Sequence, residues 1–339
     1  LPDNTNLIKA LLQQGVDSGM FPGAALEFRR ACETIYRIQA GLIEKGGAEV
    51  SENTLYDLAS LTKIYTIGMA FQVLRSHQIS IDTPLNHFLP AFDTRITLRH
   101  LMQHSSGLRL HIQSICESDA ETWLDQIAAA PLESVPGTEV FYACTNAFLL
   151  GRVLVTIEGD SLKSILSRTL IKPNQLRATL EVAAHEVVAP TEEQEDGSFL
   201  CGIVHDEATR SFLKQTGDYA GNSGLFATAK DVADFCDLWS PMHGFFHPED
   251  IASIMQSPLP ERNCQRGLGW QIGAKSWLSE NSPPQILSHL GFTGPLMARD
   301  LESDVTLVLL CNRVYPNRNG PDRRELFRQI STLCFATSD

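Results

Sequence analysis

Ser60-Leu61-Thr62-Lys63 sets a hydroxyl and an ammonium three residues apart. On a helix such residues share a face. A serine alcohol is a poor nucleophile near neutral pH and needs a base or a cation beside it, which Lys63 in this position would supply. A Ser60 that opens its helix would also keep an unpaired backbone N–H, able to hold a developing oxyanion. The spacing alone says little, because 26 serines and 8 lysines give roughly one S-x-x-K by chance. A second instance, Ser211-Phe212-Leu213-Lys214, reads as an exposed helix face, whereas Ser60 follows the small and apolar Leu55-Tyr56-Asp57-Leu58-Ala59.

Two further segments raise Ser60 above chance. Pro136-Gly137-Thr138-Glu139-Val140-Phe141-Tyr142-Ala143-Cys144-Thr145-Asn146 precedes an apolar helix, and His289-Leu290-Gly291-Phe292-Thr293-Gly294 comes later. With these in place the chain resembles the serine β-lactamase and penicillin-binding-protein superfamily, in its class C-like and esterase branch. The resemblance extends over most of the length. It is carried also by Phe21-Pro22-Gly23-Ala24, by the run from Ile96 to Leu108, by Val204-His205-Asp206, by Gly221-Asn222-Ser223-Gly224-Leu225-Phe226-Ala227-Thr228, by Gly267-Leu268-Gly269-Trp270 and by Asn312-Arg313-Val314.

The resemblance implies roles. Ser60 is expected to be the nucleophile, Lys63 to ease removal of its proton, and Tyr142 to be the general base or proton relay. A phenol is a weak base, so nearby positive charge would have to favour its phenolate. The N–H groups of Ser60 and Phe292 would form the oxyanion hole, and Cys144, His289, Leu290 and Gly291 would meet the substrate, Gly291 by allowing close backbone approach. The chain departs from the family pattern twice. Cys144 stands where the family usually has Asn or Asp, and a thiol bonds a carboxamide poorly. His289 stands where a lysine is usual, and histidine is only partly charged near pH 7. Both changes favour ester or small-amide hydrolysis over binding of carboxylate-bearing β-lactams and D-Ala termini. They also motivate a rival, a non-catalytic penicillin- or peptidoglycan-binding homologue; a fold reused for assembly is a further rival that no feature of the chain singles out. His205-Asp206 suggests no chemical step.

The remaining candidates read as structural. Cys144 fits a small buried residue better than a second nucleophile. His100 and His104, like His243 and His247, are spaced i, i+4 but lack a third ligand, so no metal and no cofactor is expected. Helix capping is the simpler role for His100 and His104.

The elements that must position these residues follow from periodicity. Residues 5–18 form an amphipathic helix with Leu7, Ile8, Leu11, Leu12 and Val16 on one face. Strands are expected at 24–28, 34–40 and 41–44, with Gly46-Gly47 as a turn, and again at 267–272, 286–289, 295–299 and 305–310. Helical periodicity dominates between about 57 and 240, and a last helix is expected at 322–333. The fold class is therefore α/β of the α+β type, an antiparallel sheet flanked by N- and C-terminal helices with a mainly helical lobe inserted. One lobe would comprise 1–56 and 265–339 and the other 57–264, with the site in the cleft between them.

With 339 residues, 43% of them hydrophobic, the chain can bury a substantial core. A formal charge of -13 argues against nucleic acid as a partner. The expected partner is a small-molecule or peptide substrate, cell-wall derived if the resemblance holds, bound by a monomer or weak oligomer. No apolar run is long enough to span a membrane. Eight cysteines without a C-x-x-C pair exclude a zinc ribbon or thioredoxin motif. The resemblance favours the periplasm or secretion, and the unpaired look of the cysteines is compatible with cytoplasm.

Overall fold

Alternating side chains dictate a sheet that is apolar on both faces, so something must cover each. In the computed structural model, which describes residues 4–273 and 277–335, the first helix α1 (Thr5–Asp17) leads into β1 (Gly23–Arg30) and β2 (Glu33–Gly41). A short pair, β3 (Tyr56–Asp57) and the later β4 (Phe226–Ala227), brackets a helical region. That region contains α2 (Thr62–Ser76), α3 (Leu98–Met102), α4 (Trp123–Ala129), α5 (Cys144–Glu158), α6 (Leu162–Leu166) and α7 (Glu207–Thr216). After β4 come α8 (Ala229–Asp237) and α9 (Pro248–Met255). Then follow β5 (Leu259–Glu261), β6 (Cys264–Arg266), β7 (Gln271–Ile272), β8 (Leu287–Leu290), β9 (Leu296–Asp300), β10 (Val305–Cys311) and the closing helix α10 (Arg324–Cys334).

Eight strands form one antiparallel sheet in the order β2-β1-β10-β9-β8-β7-β6-β5. Residues alternate between faces along each strand. Leu26 and Phe28 of β1, Leu307 and Leu309 of β10, and Leu296 and Ala298 of β9 pack with α1 and α10 in one apolar cluster. Ala25, Met297, Val308 and Leu310 face the other way and join the core of the helical region. Helix α2 is buried nearly all round, from Thr62 to Leu74, as a central core helix must be.

The structure corrects several expectations. In α1, Ile8, Leu12 and Gly15 are buried while Leu7 is 57% exposed, because it lies one step of about 100° too far round the helix. The strand expected at 41–44 is absent: Gly41 turns the chain with φ +75°, and only an isolated bridge, Leu42 to Glu49, follows. Between Ile171 and Glu207 there is no helix or strand at all. The second run of sheet strands starts at Leu259, and Gly267 to Trp270 form a turn rather than the start of a strand. There Gly267 lies so close to the Ile254 carbonyl that a Cβ would sit 2.2 Å from it.

Candidate active site

Ser60 sits on a single 3-10 turn, Ala59–Leu61, that feeds directly into α2, so Lys63 falls in the first helical turn on the same side. The Lys63 Nζ donates to Ser60 Oγ at 2.9 Å and to the Asn222 carbonyl at 3.0 Å. Lys63 is 2% exposed. Burial alone would pull its ammonium down, but the titratable groups of Cys144 and Tyr142 and the Asp206 carboxylate outweigh burial and hold it above the ordinary lysine value. Just before the serine, Ala59 has φ +45°, a left-handed conformation that alanine adopts only under constraint. Among the described residues, neither the Ser60 nor the Phe292 backbone N–H meets an acceptor.

Tyr142 lies just before α5, whose N-cap is Ala143. Its ring lies 4.6 Å from that of His104 and 5.8 Å from that of His289, centre to centre. Two cations flank it, Lys63 Nζ and Arg266 Cζ, each 5.3 Å from the ring centre. Tyr142, Ser60 and Cys144 line one cavity of about 320 Å³ with Asp206, Phe292 and Arg318. Among the described residues, no hydrogen bond joins the Tyr142 hydroxyl to Ser60 Oγ; both side chains line the same cavity.

Of the four residues expected to meet substrate, only Cys144 lines this cavity. His289 is buried at 2% exposure. Its Nδ1 can meet the Leu290 carbonyl, 2.9 Å away, only as a donor, so the neutral ring carries its lone pair on Nε2, which has no partner. Burial, with Arg266 and Lys63 nearby, holds His289 well below its ordinary value. It therefore offers no cation. Leu290 packs against the apolar cluster under α1 and α10. A Cβ on Gly291 would lie 2.4 Å from Pro295 Cγ and 2.7 Å from the Leu58 carbonyl, so the neighbouring chain, not a substrate, requires glycine there.

Other residues of the site were given no chemical role by the sequence. Asp206 caps α7 through the Thr209 N–H and accepts from Gln113 Nε2 at 2.9 Å. Burial raises it, but those bonds, Lys63 and Asn222 win and keep it below the usual carboxylate range. Arg318 donates to Glu192 and Glu207 at the cavity edge, and His205 Nε2 faces Glu192 at 3.1 Å. Asn146 does not replace the missing carboxamide at 144; its Nδ2 turns under the helix to His104 Nδ1 at 3.4 Å. His100 caps the start of α3 by accepting the Thr97 N–H at 3.1 Å, and His247 caps α9. His100 thus takes a capping role, at a helix start. Among the described residues no three metal-ligating side chains converge, no helix is long and apolar enough to cross a membrane, and all eight cysteines are free.

Comparison with known proteins gives a consistent set of similarities. The family model described as Beta-lactamase matches residues 8–331. A protein of Escherichia coli (strain K12) named "Putative D-alanyl-D-alanine carboxypeptidase" is 26% identical over 391 aligned positions, covering 99% of this chain and 88% of that one. Among solved structures, "EstCE1, a hydrolase with promiscuous acyltransferase activity" superposes with a TM-score of 0.81 at 19% identity, covering 98% of both chains. A class C beta-lactamase superposes with a TM-score of 0.77 at 18% identity, over 98% of this chain and 97% of that one.

Proposed function

Since the chain belongs to the Beta-lactamase family of serine hydrolases and has the β-lactamase/transpeptidase-like fold, we propose that it hydrolyses a carbonyl substrate through an acyl-enzyme on Ser60. The observation that carries this reading is the 2.9 Å hydrogen bond from the buried Lys63 ammonium to Ser60 Oγ, at the edge of a cavity shared with Tyr142. Lys63 donates to Oγ, so the serine proton is left for another acceptor. Lys63, whose surroundings favour the ammonium, stabilises the oxygen as negative charge grows. Tyr142, reacting as its phenolate, receives the proton and becomes the neutral phenol. Oγ bonds to the carbonyl carbon, and the Ser60 and Phe292 N–H groups hold the oxyanion. The leaving oxygen or nitrogen departs with the proton passed back from Tyr142. Water repeats the sequence, the acid leaves, and Oγ regains its proton.

Esters and small amides without a carboxylate beside the reacting carbonyl fit best. The histidine in the lysine position is neutral and buried, and the Arg318 guanidinium at the rim is already held by Glu192 and Glu207. β-Lactams and D-Ala-D-Ala peptides, which bring a carboxylate, are expected to react more slowly. A fluorophosphonate probe followed by intact-mass measurement tests the reading. One adduct per chain is expected, with none in Ser60→Ala. An unlabelled wild type, or a Ser60→Ala chain that labels equally well, overturns it and leaves the non-catalytic homologue. Nitrocefin, p-nitrophenyl esters and a D-Ala-D-Ala peptide, run side by side, then rank the substrates.

A further inference from the structure

Resting on the acyl-enzyme reading of Ser60, we propose that Asp57 is a positioning residue that sets the distance between the Ser60 and Phe292 N–H groups by tying together the three chain segments around the site. Asp57 ends β3 and is 2% exposed. Its Oδ1 accepts the Ala59 N–H at 2.8 Å, which fixes the turn that presents Ser60. Its Oδ2 accepts the His205 N–H at 2.7 Å, which fixes the wall leading to Asp206. Its backbone carbonyl accepts the Thr293 hydroxyl at 2.7 Å, which fixes the loop carrying Phe292. One residue thus holds the nucleophile turn, the Asp206 wall and the second oxyanion donor.

The backbone explains why a carboxylate is needed there. Ala59 keeps φ +45° without the freedom of glycine, a conformation that costs free energy and persists only when surrounding bonds over-determine it. A hydrogen bond from its N–H to an anion is stronger than one to a neutral acceptor. Both oxygens must accept, because both partners are N–H groups. An asparagine would turn an NH₂ toward one of them, and a protonated carboxyl would turn an O–H toward one.

The same requirement gives Asp57 a pH signature. Burial raises its carboxyl first, the two N–H groups lower it, Asp206 raises it and Arg210 lowers it, leaving it pushed up to about 6. The imidazole of neighbouring His205, held by Glu192, is lowered by burial and adds no fixed charge. The anion that accepts both N–H groups is therefore lost as pH falls through about 6, and turnover should fall with it.

Asp57→Asn is tested by kcat, KM, fluorophosphonate labelling rate and pH profile. A loss of roughly 10- to 100-fold in kcat and in labelling rate is expected, with KM little changed and the acid limb near pH 6 gone. Thr293→Val, which removes only the hydroxyl, should lower kcat by about 3- to 10-fold, and Thr293→Ser should restore it. If Asp57→Asn fails to fold, the Thr293 pair decides. A folded Asp57→Asn chain with kcat and labelling within twofold of wild type and an unchanged acid limb overturns the proposal, as does an undiminished Thr293→Val. A wild type that takes no probe overturns the reading of Ser60 instead.

Discussion

Two regions bury positive charge, and they treat it in opposite ways. On the sheet face that meets α8, Arg29 is ion-paired to Glu27 at 2.9 Å and to Asp234 and Asp237 at 2.8 Å each. Arg299, fully buried, pairs with Asp237 and with Asp304. Thr306 donates to the same Asp237 at 2.7 Å. Every cation there is closed by carboxylates of the fold. Lys63 is as deeply buried, yet among the described residues it makes no ion pair; it bonds a serine hydroxyl and a backbone carbonyl, with Tyr142 and, farther off, Asp206 supporting its charge. A cation closed by carboxylates has already spent its field on the fold. One left with neutral partners can respond to a negative charge that appears at Ser60 Oγ.

Lys63→Ala should break the contrast most sharply. With nothing left to stabilise the serine oxygen, kcat/KM for an ester should fall by about 10²- to 10⁴-fold. Because the folded surroundings hold this ammonium above its ordinary value, its removal should cost some stability, but less than stripping an arginine closed by carboxylates. A large loss of stability in Lys63→Ala would show that the ammonium is structural after all. Asp237→Ala should do the reverse. It strips Arg29 and Arg299 of a shared partner and should cost about 3–5 kcal/mol in urea unfolding, while the folded fraction keeps its kcat.

The smallest effect concerns the two neutral histidines beside Tyr142. Burial holds His104 and His289 well below the ordinary 6.5. Below about pH 6.5 the unfolded chain therefore binds protons that the folded chain refuses, so stability falls as pH falls, by at most about 1.4 kcal/mol per pH unit for each histidine. Asp57 works the other way between its ordinary 3.8 and about 6, where the folded chain binds the extra proton. Urea midpoints from pH 7 to 5 should show the decline, and His289→Gln should remove about half of the histidine contribution. An unchanged slope in that variant would mean that folding does not lower His289 below its ordinary value.

Much of the fold was legible because periodicity reports burial. The strands at β1, β9 and β10 and the helices α1 and α10 alternate or repeat as their surroundings demand. Short strands such as β5 and β6 carry too few residues to show a pattern, and only their neighbours in the sheet make them strands. The local part of the site was legible for a related reason. Three residues of spacing across a 3-10 turn running into α2 decide by themselves that Lys63 reaches Ser60.

What the sequence determined alone is thus local: the shared face of Ser60 and Lys63, the amphipathic helices and the alternating strands, all consequences of backbone geometry acting over a few residues. What only the tertiary structure decided is which long-range neighbours share a cavity and in which charge state. His289 became neutral, Gly291 came to serve the packing of Pro295, and Asp57 gained partners at 205 and 293, because burial and electrostatic field depend on chain segments that no local spacing specifies.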